Sequence, residues 1–240
     1  MPLPGGEGRA WRVGELVLKP NDDPAEWAWL GAVLPTIALD GFRLAPPVPA
    51  LDGSWVVDGW CAQPYVAGAH AERWADVIEV GERFHAATAA LERPAFVDAR
   101  TNPWSQGDCV AWQELDSPVG HPLLDRLFDL REPIDVRPQV VHGDLTENVL
   151  FDDGLPPAVI DVTPYFRPTG FASAVVVGDA VRWRDADPAP LVARAARDEV
   201  FPQLFVRAVI YRLVTSLLFG REDVGYFGSD VELATRLVRG

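Results

Sequence analysis

The sequence predicts an α+β fold, with short strands gathered in the first 66 residues and in one central hairpin, and helices over most of the rest. Three observations carry this. Before residue 66 the apolar runs are short and cut by glycine and proline, as in Leu16-Val17-Leu18 and Trp55-Val56-Val57. From 71 to 91, and again from 171 onward, apolar residues recur at three- and four-residue spacing. Between these regions, Gln139 to Val162 holds short apolar runs on either side of the turn signal Asp152-Asp153-Gly154 and the breaker Pro156-Pro157.

Composition bounds the reading. A chain of 240 residues is one domain or two small ones, with ample length for a core. A formal net charge of −14 argues against nucleic acid or an anionic membrane as partner. It suits a cationic substrate, or plain solubility. No apolar run reads as a membrane span, and the opening residues lack the charged-then-apolar pattern of a signal peptide, so the expected location is the cytoplasm. Cys61 and Cys109 stand far apart and form no metal motif, which reads as two free thiols. Of the 21 basic residues only Lys19 is a lysine, an arginine bias that fits a GC-rich, actinobacterial type of coding sequence. The bias makes the lysine informative, because this chain uses arginine wherever arginine serves. Nothing in the sequence sets an oligomeric state.

Taken in order, the chain opens with a glycine-rich turn between two strands, carrying Gly5, Gly6 and Gly8. A tight turn follows at Gly14, and a third strand ends at Lys19. Glycines without side chains let backbone amides approach phosphate oxygens. Asp23 as N-cap, Pro24 at the first helical position and Glu26 three residues after the cap make a capping box, and the helix runs to about Leu34, before Pro35. Phe42–Leu44 and Trp55–Val57 read as strands with Asp52-Gly53 turning between them. Trp60 to Val66 crosses into the second part of the chain. The helix over 71–91 carries His85 on its apolar face, where a packed histidine is expected, and His70 before it reads as a cap or surface residue. Residues 94–122 are rich in turns. Further helices are expected at 123–130, 171–184, 188–197, 200–219 and 230–239, and the Thr163-Pro164 and Arg167-Pro168 pairs force an extended path before the second of these.

Within the central stretch, His142, Asp144, Asn148 and Asp161 stand at the ends of short apolar strands, which would fix their side chains in place. A carboxylate, an amide and a second carboxylate converging from neighbouring strand ends are hard oxygen ligands, suited to Mg²⁺ beside a polyphosphate. A different reading makes His142 and Asp144 two legs of an iron-binding triad. That arrangement wants a second histidine downstream, and His70, His85 and His121 all lie upstream.

With His142-Gly143-Asp144, then Asn148, then Ile160-Asp161, the stretch resembles the catalytic segment of the aminoglycoside phosphotransferase family, the small-molecule branch of the protein-kinase-like fold. The resemblance implies a two-lobe fold: a reduced β lobe with the hinge over residues 1–66, and a mainly helical lobe over 67–240. It implies ATP and Mg²⁺, and a small-molecule hydroxyl as acceptor. Asp144 would orient and deprotonate that hydroxyl, His142 would brace the loop, and Asn148 and Asp161 would hold the metal. Gly5, Gly6, Gly8 and Lys19 would contact phosphates, and Glu26 would anchor Lys19. Asp179, a second downstream aspartate, would be structural. One departure is plain: three residues separate Asp144 from Asn148 where the kinase pattern has four, which makes Glu147 the alternative ligand. The rival expectation is a pseudokinase that binds nucleotide without transferring phosphate.

Overall fold

The computed structural model describes residues 1–3, 9–21, 23–196 and 199–240. Gly5, Gly6 and Gly8 therefore lie outside the described residues. On either side of them the chain pairs with itself: Leu3 N–H donates to Ala10 O at 2.9 Å and Arg12 N–H to Met1 O at 2.8 Å.

The first layer is a small antiparallel sheet. Strands β1 (Trp11–Val13) and β2 (Leu16–Pro20) form a hairpin that turns at Gly14, whose φ of +61° is the left-handed value glycine adopts without strain. Strand β4 (Trp60–Pro64) pairs along the other edge of β2, setting Lys19 opposite Cys61 and Val17 opposite Gln63. Helix α1 (Pro24–Val33) follows β2, and Asp23 caps it by accepting from the Glu26 amide at 2.9 Å. Leu34 to Thr36 then tightens to a 3₁₀ turn at Pro35. The expected second hairpin does not form. Strand β3 is only Arg43–Leu44, and it pairs in parallel with β7 (Leu155–Val159) of the central hairpin. Trp55–Val57 makes no strand beyond an isolated bridge between Val57 and Trp60. The aromatic and β-branched content of that stretch serves packing instead, with Trp55 laid so close on α1 that a Cβ at Gly31 would meet its ring at 2.2 Å.

The central hairpin is β6 (Val149–Asp152) with β7, and a second pair, β5 (Gln139–His142) with β8 (Pro164–Arg167), stands beside it. Pro156 and Pro157 lie inside β7, where they were expected to break it. β3 pairs only Ala158 and Val159, so the two prolines leave no ladder bond unmade on that edge. Their carbonyls stay available, and Arg43 donates to Pro156 O at 2.7 Å.

Helices build the rest. They are α2 (Trp74–Thr88), α3 (Ala95–Ala99), α4 (Pro103–Ala111), α5 (Pro122–Leu130), α6 (Thr169–Arg184), α7 (Pro188–Ala195), α8 (Phe201–Leu218) and α9 (Gly228–Arg239). The periodic stretches became helices within two or three residues of the expected bounds, while α3 and α4 arise in the turn-rich segment where no period was visible. Pro103 explains α4: it starts the helix, with Asn102 accepting from the Ser105 amide at 2.9 Å. Helix α8 runs through the middle, packed by α4, α5, α6 and α9. Its 18 residues are long and apolar enough to cross a membrane by composition, yet 83% of that window is buried inside the protein, which makes it the core helix.

Candidate active site

The loop between β5 and β6 is held from four sides. Leu145 is fully buried against α2, where Gly81 leaves room: a Cβ there would meet Leu145 Cδ1 at 2.4 Å. Burying that leucine contributes roughly 1.5–3 kcal/mol to fixing the loop. Gly143 is required for a similar reason, because its Cβ would meet the ring of the buried Tyr165 at 2.2 Å. His142 is sealed in the core. Its Nδ1 accepts from the Asp144 amide at 3.2 Å, which leaves the proton on Nε2 to donate to Ile160 O at 3.1 Å. Burial pushes its pKa down, so a neutral ring suits both bonds. Its own amide donates to His85 Nε2 at 3.1 Å, and burial beside His142 pushes His85 down to about 3. His142 thus ties the loop to the segment after β7 that carries Ile160 and Asp161.

The backbone brings Asn148 and Asp161 together, through Ile160 N–H donating to Asn148 O at 3.0 Å. Two residues here sit in the left-handed region without being glycine, Glu147 at φ +62° and Asp161 at φ +48°. Such geometry costs on the order of 1–3 kcal/mol per residue and persists where the surroundings enforce it. At Glu147 it accompanies the short loop, with Asn148 N–H closing onto Leu145 O at 3.0 Å. Asn148 donates Nδ2 to Asp144 O at 2.6 Å, leaving its Oδ1 as the atom a cation would meet. The carboxylate of the exposed Glu147 pairs with Arg184, while the residue lines the same cavity as Asn148 and Asp161.

Lys19 reaches across from β2 and forms an ion pair with Asp161 Oδ1, its ammonium 4.9 Å from the centre of the Trp27 ring. Gln63 from β4 donates to the same oxygen at 3.2 Å. Burial raises the Asp161 pKa, but the charge and hydrogen bond of Lys19 and the bond from Gln63 outweigh it and hold the carboxyl below its ordinary value. Lys19 is not anchored by Glu26. The Glu26 carboxylate lies 2.7 Å from Arg100 Nη2, and Arg100 also donates to Pro164 O at 2.7 Å, tying α1 to β8. The capping box is therefore half formed, with Asp23 capping and the Glu26 side chain turned to Arg100.

Asp144 has a partner that sequence reasoning missed. Arg212 from α8 donates Nη2 to Asp144 Oδ1 at 2.6 Å, and its Nε to Asp179 Oδ1 at 3.0 Å. Burial works against the Arg212 charge, and Asp179 and Asp144 together outweigh it, raising its pKa well above the ordinary value. Asp179 is wholly buried and also accepts from Thr146 Oγ1 at 3.0 Å, which ties down the middle of the loop. The missed signal was in the sequence: Arg207 and Arg212 interrupt an otherwise apolar helix, and a charge there must find a partner. Gln63 and Arg100 carried no comparable signal.

A cavity of about 280 Å³ opens between the first sheet and the central hairpin. Val17 on one side and Leu150 and Ile160 on the other give it apolar walls, and Lys19, Asn148 and Asp161 stand in its polar end. Among the described residues no three His, Cys, Asp or Glu side chains cluster as a ready-made metal cage. One carboxylate and one amide oxygen fit a cation of the Mg²⁺ type, which takes its remaining ligands from phosphates and water. They do not fit a self-sufficient metal centre.

The sequence matches no family model and no curated protein. Its structure does match solved ones. A thermostable mutant of aminoglycoside phosphotransferase APH(4)-Ia, in its apo form, superposes with a TM-score of 0.62 at 17% identity over 100% of this chain and 93% of the other. A structure of such a mutant in ternary complex with AMP-PNP and hygromycin B gives 0.60, also at 17%, over 100% and 92%. Spectinomycin phosphotransferase APH(9)-Ia with ADP and spectinomycin gives 0.58 at 13% identity over 99% and 92%. Choline kinase LicA from Streptococcus pneumoniae gives 0.58 at 10% over 100% and 92%. The protein therefore has the α+β fold of the aminoglycoside phosphotransferases and their small-molecule kinase neighbours.

Proposed function

We propose that this protein is an ATP-dependent phosphotransferase acting on a hydroxyl of a small molecule, in the cytoplasm. The observation that carries the reading is the meeting of Lys19, Asn148 and Asp161 at the polar end of one cavity, with Asp144 bonded to Asn148 beside them. The fold neighbours that hold AMP-PNP or ADP support the nucleotide, and those with hygromycin B or spectinomycin support a small-molecule acceptor.

In this reading the purine lies between Val17 and the Leu150–Ile160 wall, and the phosphates reach Lys19. Lys19 leaves Asp161 for the α- and β-phosphates, and its ammonium offsets their charge. Asp161 and Asn148 Oδ1 would hold Mg²⁺, which supplies charge neutralisation on the phosphate oxygens when bound. Asp144 accepts the acceptor's hydroxyl proton as its oxygen attacks the γ-phosphorus. The bond from that phosphorus to the β–γ bridging oxygen breaks, and its electron pair leaves with ADP. A cationic acceptor suits the net charge of −14. The second reading, a nucleotide-binding pseudokinase, is favoured by the engagement of Glu26 with Arg100 and by the short loop.

Thermal melting with ATP, with and without Mg²⁺, tests the nucleotide half. At a hundred times its dissociation constant, a ligand adds about 2.7 kcal/mol, or roughly 5–11 °C for a domain of this size. The expected result is a shift that needs Mg²⁺ and disappears in Asp161→Asn. A shift of equal size in that variant would remove Asp161 from the metal site.

A further inference from the structure

We propose that Arg212 is a positioning residue for phosphoryl transfer: it fixes the Asp144 carboxylate by Oδ1 and thereby keeps the shortened catalytic loop in working geometry. The inference rests on the phosphotransferase reading above.

The loop from Asp144 to Asn148 is closed by its own backbone and by the Asn148 amide, and pinned at Leu145 and Thr146. None of these contacts orients the Asp144 side chain, which is 42% exposed. Asn148 Nδ2 lies 3.4 Å from Asp144 Oδ2, a weak contact. The strong contact is the 2.6 Å bond from Arg212 Nη2 to Oδ1. That guanidinium cannot drift, because it is buried and grips Asp179 through Nε and Nη2 together. Asp179 is held in turn by Arg182, whose Nε donates to Asp230 at 2.9 Å. The position of Oδ1 is thus set by α6, α8 and α9, from outside the loop.

Charge neutrality alone does not explain the contact. Without Asp144 the buried cluster is already balanced, with Arg182 and Arg212 against Asp179 and Asp230. The bond from Arg212 Nη2 to Asp144 is made in addition to the pair that the same nitrogen forms with Asp179. It uses the geometry peculiar to a guanidinium, which serves two carboxylates from one planar fork. With Oδ1 occupied, Oδ2 remains to receive the acceptor's proton. A loop one residue short has lost freedom to aim this carboxylate by backbone adjustment, and Arg212 supplies the aim from outside.

The test compares wild type, Arg212→Lys and Arg212→Met. Melting temperature reports folding, calorimetry reports the Mg·ATP dissociation constant, and kcat and KM are measured with the best acceptor found, or with water. Arg212→Met should leave the Mg·ATP constant within about threefold and lower kcat by about 100-fold, the scale of a catalytic group misplaced by an ångström. Arg212→Lys should recover about tenfold of that loss, since an ammonium reaches either carboxylate but does not fork to both. If Arg212→Met does not fold, Arg212→Lys decides alone: kcat must fall about tenfold with KM for ATP unchanged. Wild-type kcat in a folded variant overturns the proposal. So does a loss of kcat that tracks loss of stability and nucleotide affinity together, which is the mark of a merely structural arginine. A wild-type protein that binds no Mg·ATP sinks the phosphotransferase reading first, and the role of Arg212 with it.

Discussion

Replacing Glu26 by Gln separates two accounts of α1. In the account drawn from the structure, Glu26 is the counter-ion of Arg100, with side-chain exposures of only 18% and 7%. Removing one partner of a buried pair costs about 3–5 kcal/mol when the other charge is stranded. Three features reduce this here. Gln keeps the shape and can still accept a hydrogen bond. Arg100 retains Pro164 O. Burial already disfavours the ionised Glu26 and raises its pKa, so less is lost with the charge. A loss of about 2 kcal/mol is expected, or roughly 4–8 °C in melting temperature for a domain of this size. Nucleotide affinity should stay within about twofold, a change of under 0.5 kcal/mol, because Lys19 is held by Asp161 and not by Glu26. Scanning calorimetry and titration calorimetry on the same preparation give both numbers. An unchanged melting temperature with ATP affinity reduced tenfold or more, about 1.4 kcal/mol, would refute the reasoning and return Glu26 to Lys19.

Other outcomes follow from the same contacts. Gly143→Ala should lose about 1–3 kcal/mol in urea unfolding, since its Cβ would meet the buried Tyr165 ring at 2.2 Å; an unchanged midpoint would mean the ring moves freely. His85, pushed to about 3 by burial and by His142 beside it, stays neutral when folded, whereas the unfolded chain takes up a proton below about 6.5. Its contribution is therefore present above pH 6.5 and lost as pH falls toward 3, with about 2 kcal/mol gone by pH 5. Melting curves of His85→Gln should fall less steeply than wild type over that window, and parallel curves would contradict the assignment. Lys19→Arg should weaken ATP binding by about 1.5–3 kcal/mol, the worth of a charged hydrogen bond, because the larger planar group does not reproduce a compact ammonium packed on Trp27; wild-type affinity would reduce Lys19 to a strand end.

Most of the helical part was legible because its burial is one-sided or complete, so the apolar period survives in the sequence. Trp55–Val57 has strand-like residues but finds its partner in α1 packing. Arg43–Leu44 pairs with a strand more than a hundred residues later, which no local pattern reports. In the site, His142, Asp144, Asn148 and Asp161 form a pattern in the sequence because they fall at or just beyond the ends of the short strands β5, β6 and β7 within one continuous stretch. Their partners Gln63 and Arg212 come from distant elements, and only Arg212 stands out in the sequence, as a charge inside an apolar helix. The family resemblance pairs Glu26 with Lys19, and the fold pairs it with Arg100.

The central claim is transfer of a phosphoryl group, and it is tested most directly with γ-labelled ATP and Mg²⁺ over a panel of hydroxyl compounds that includes hygromycin B, spectinomycin and choline. Label should appear on one acceptor class with wild-type protein, and Asp144→Asn should reduce the rate by about 10²–10⁴-fold, the contribution of a positioned general base, while still binding Mg·ATP. Tight Mg·ATP binding by the wild type with no transfer to any acceptor, or a rate unchanged in Asp144→Asn, would contradict it.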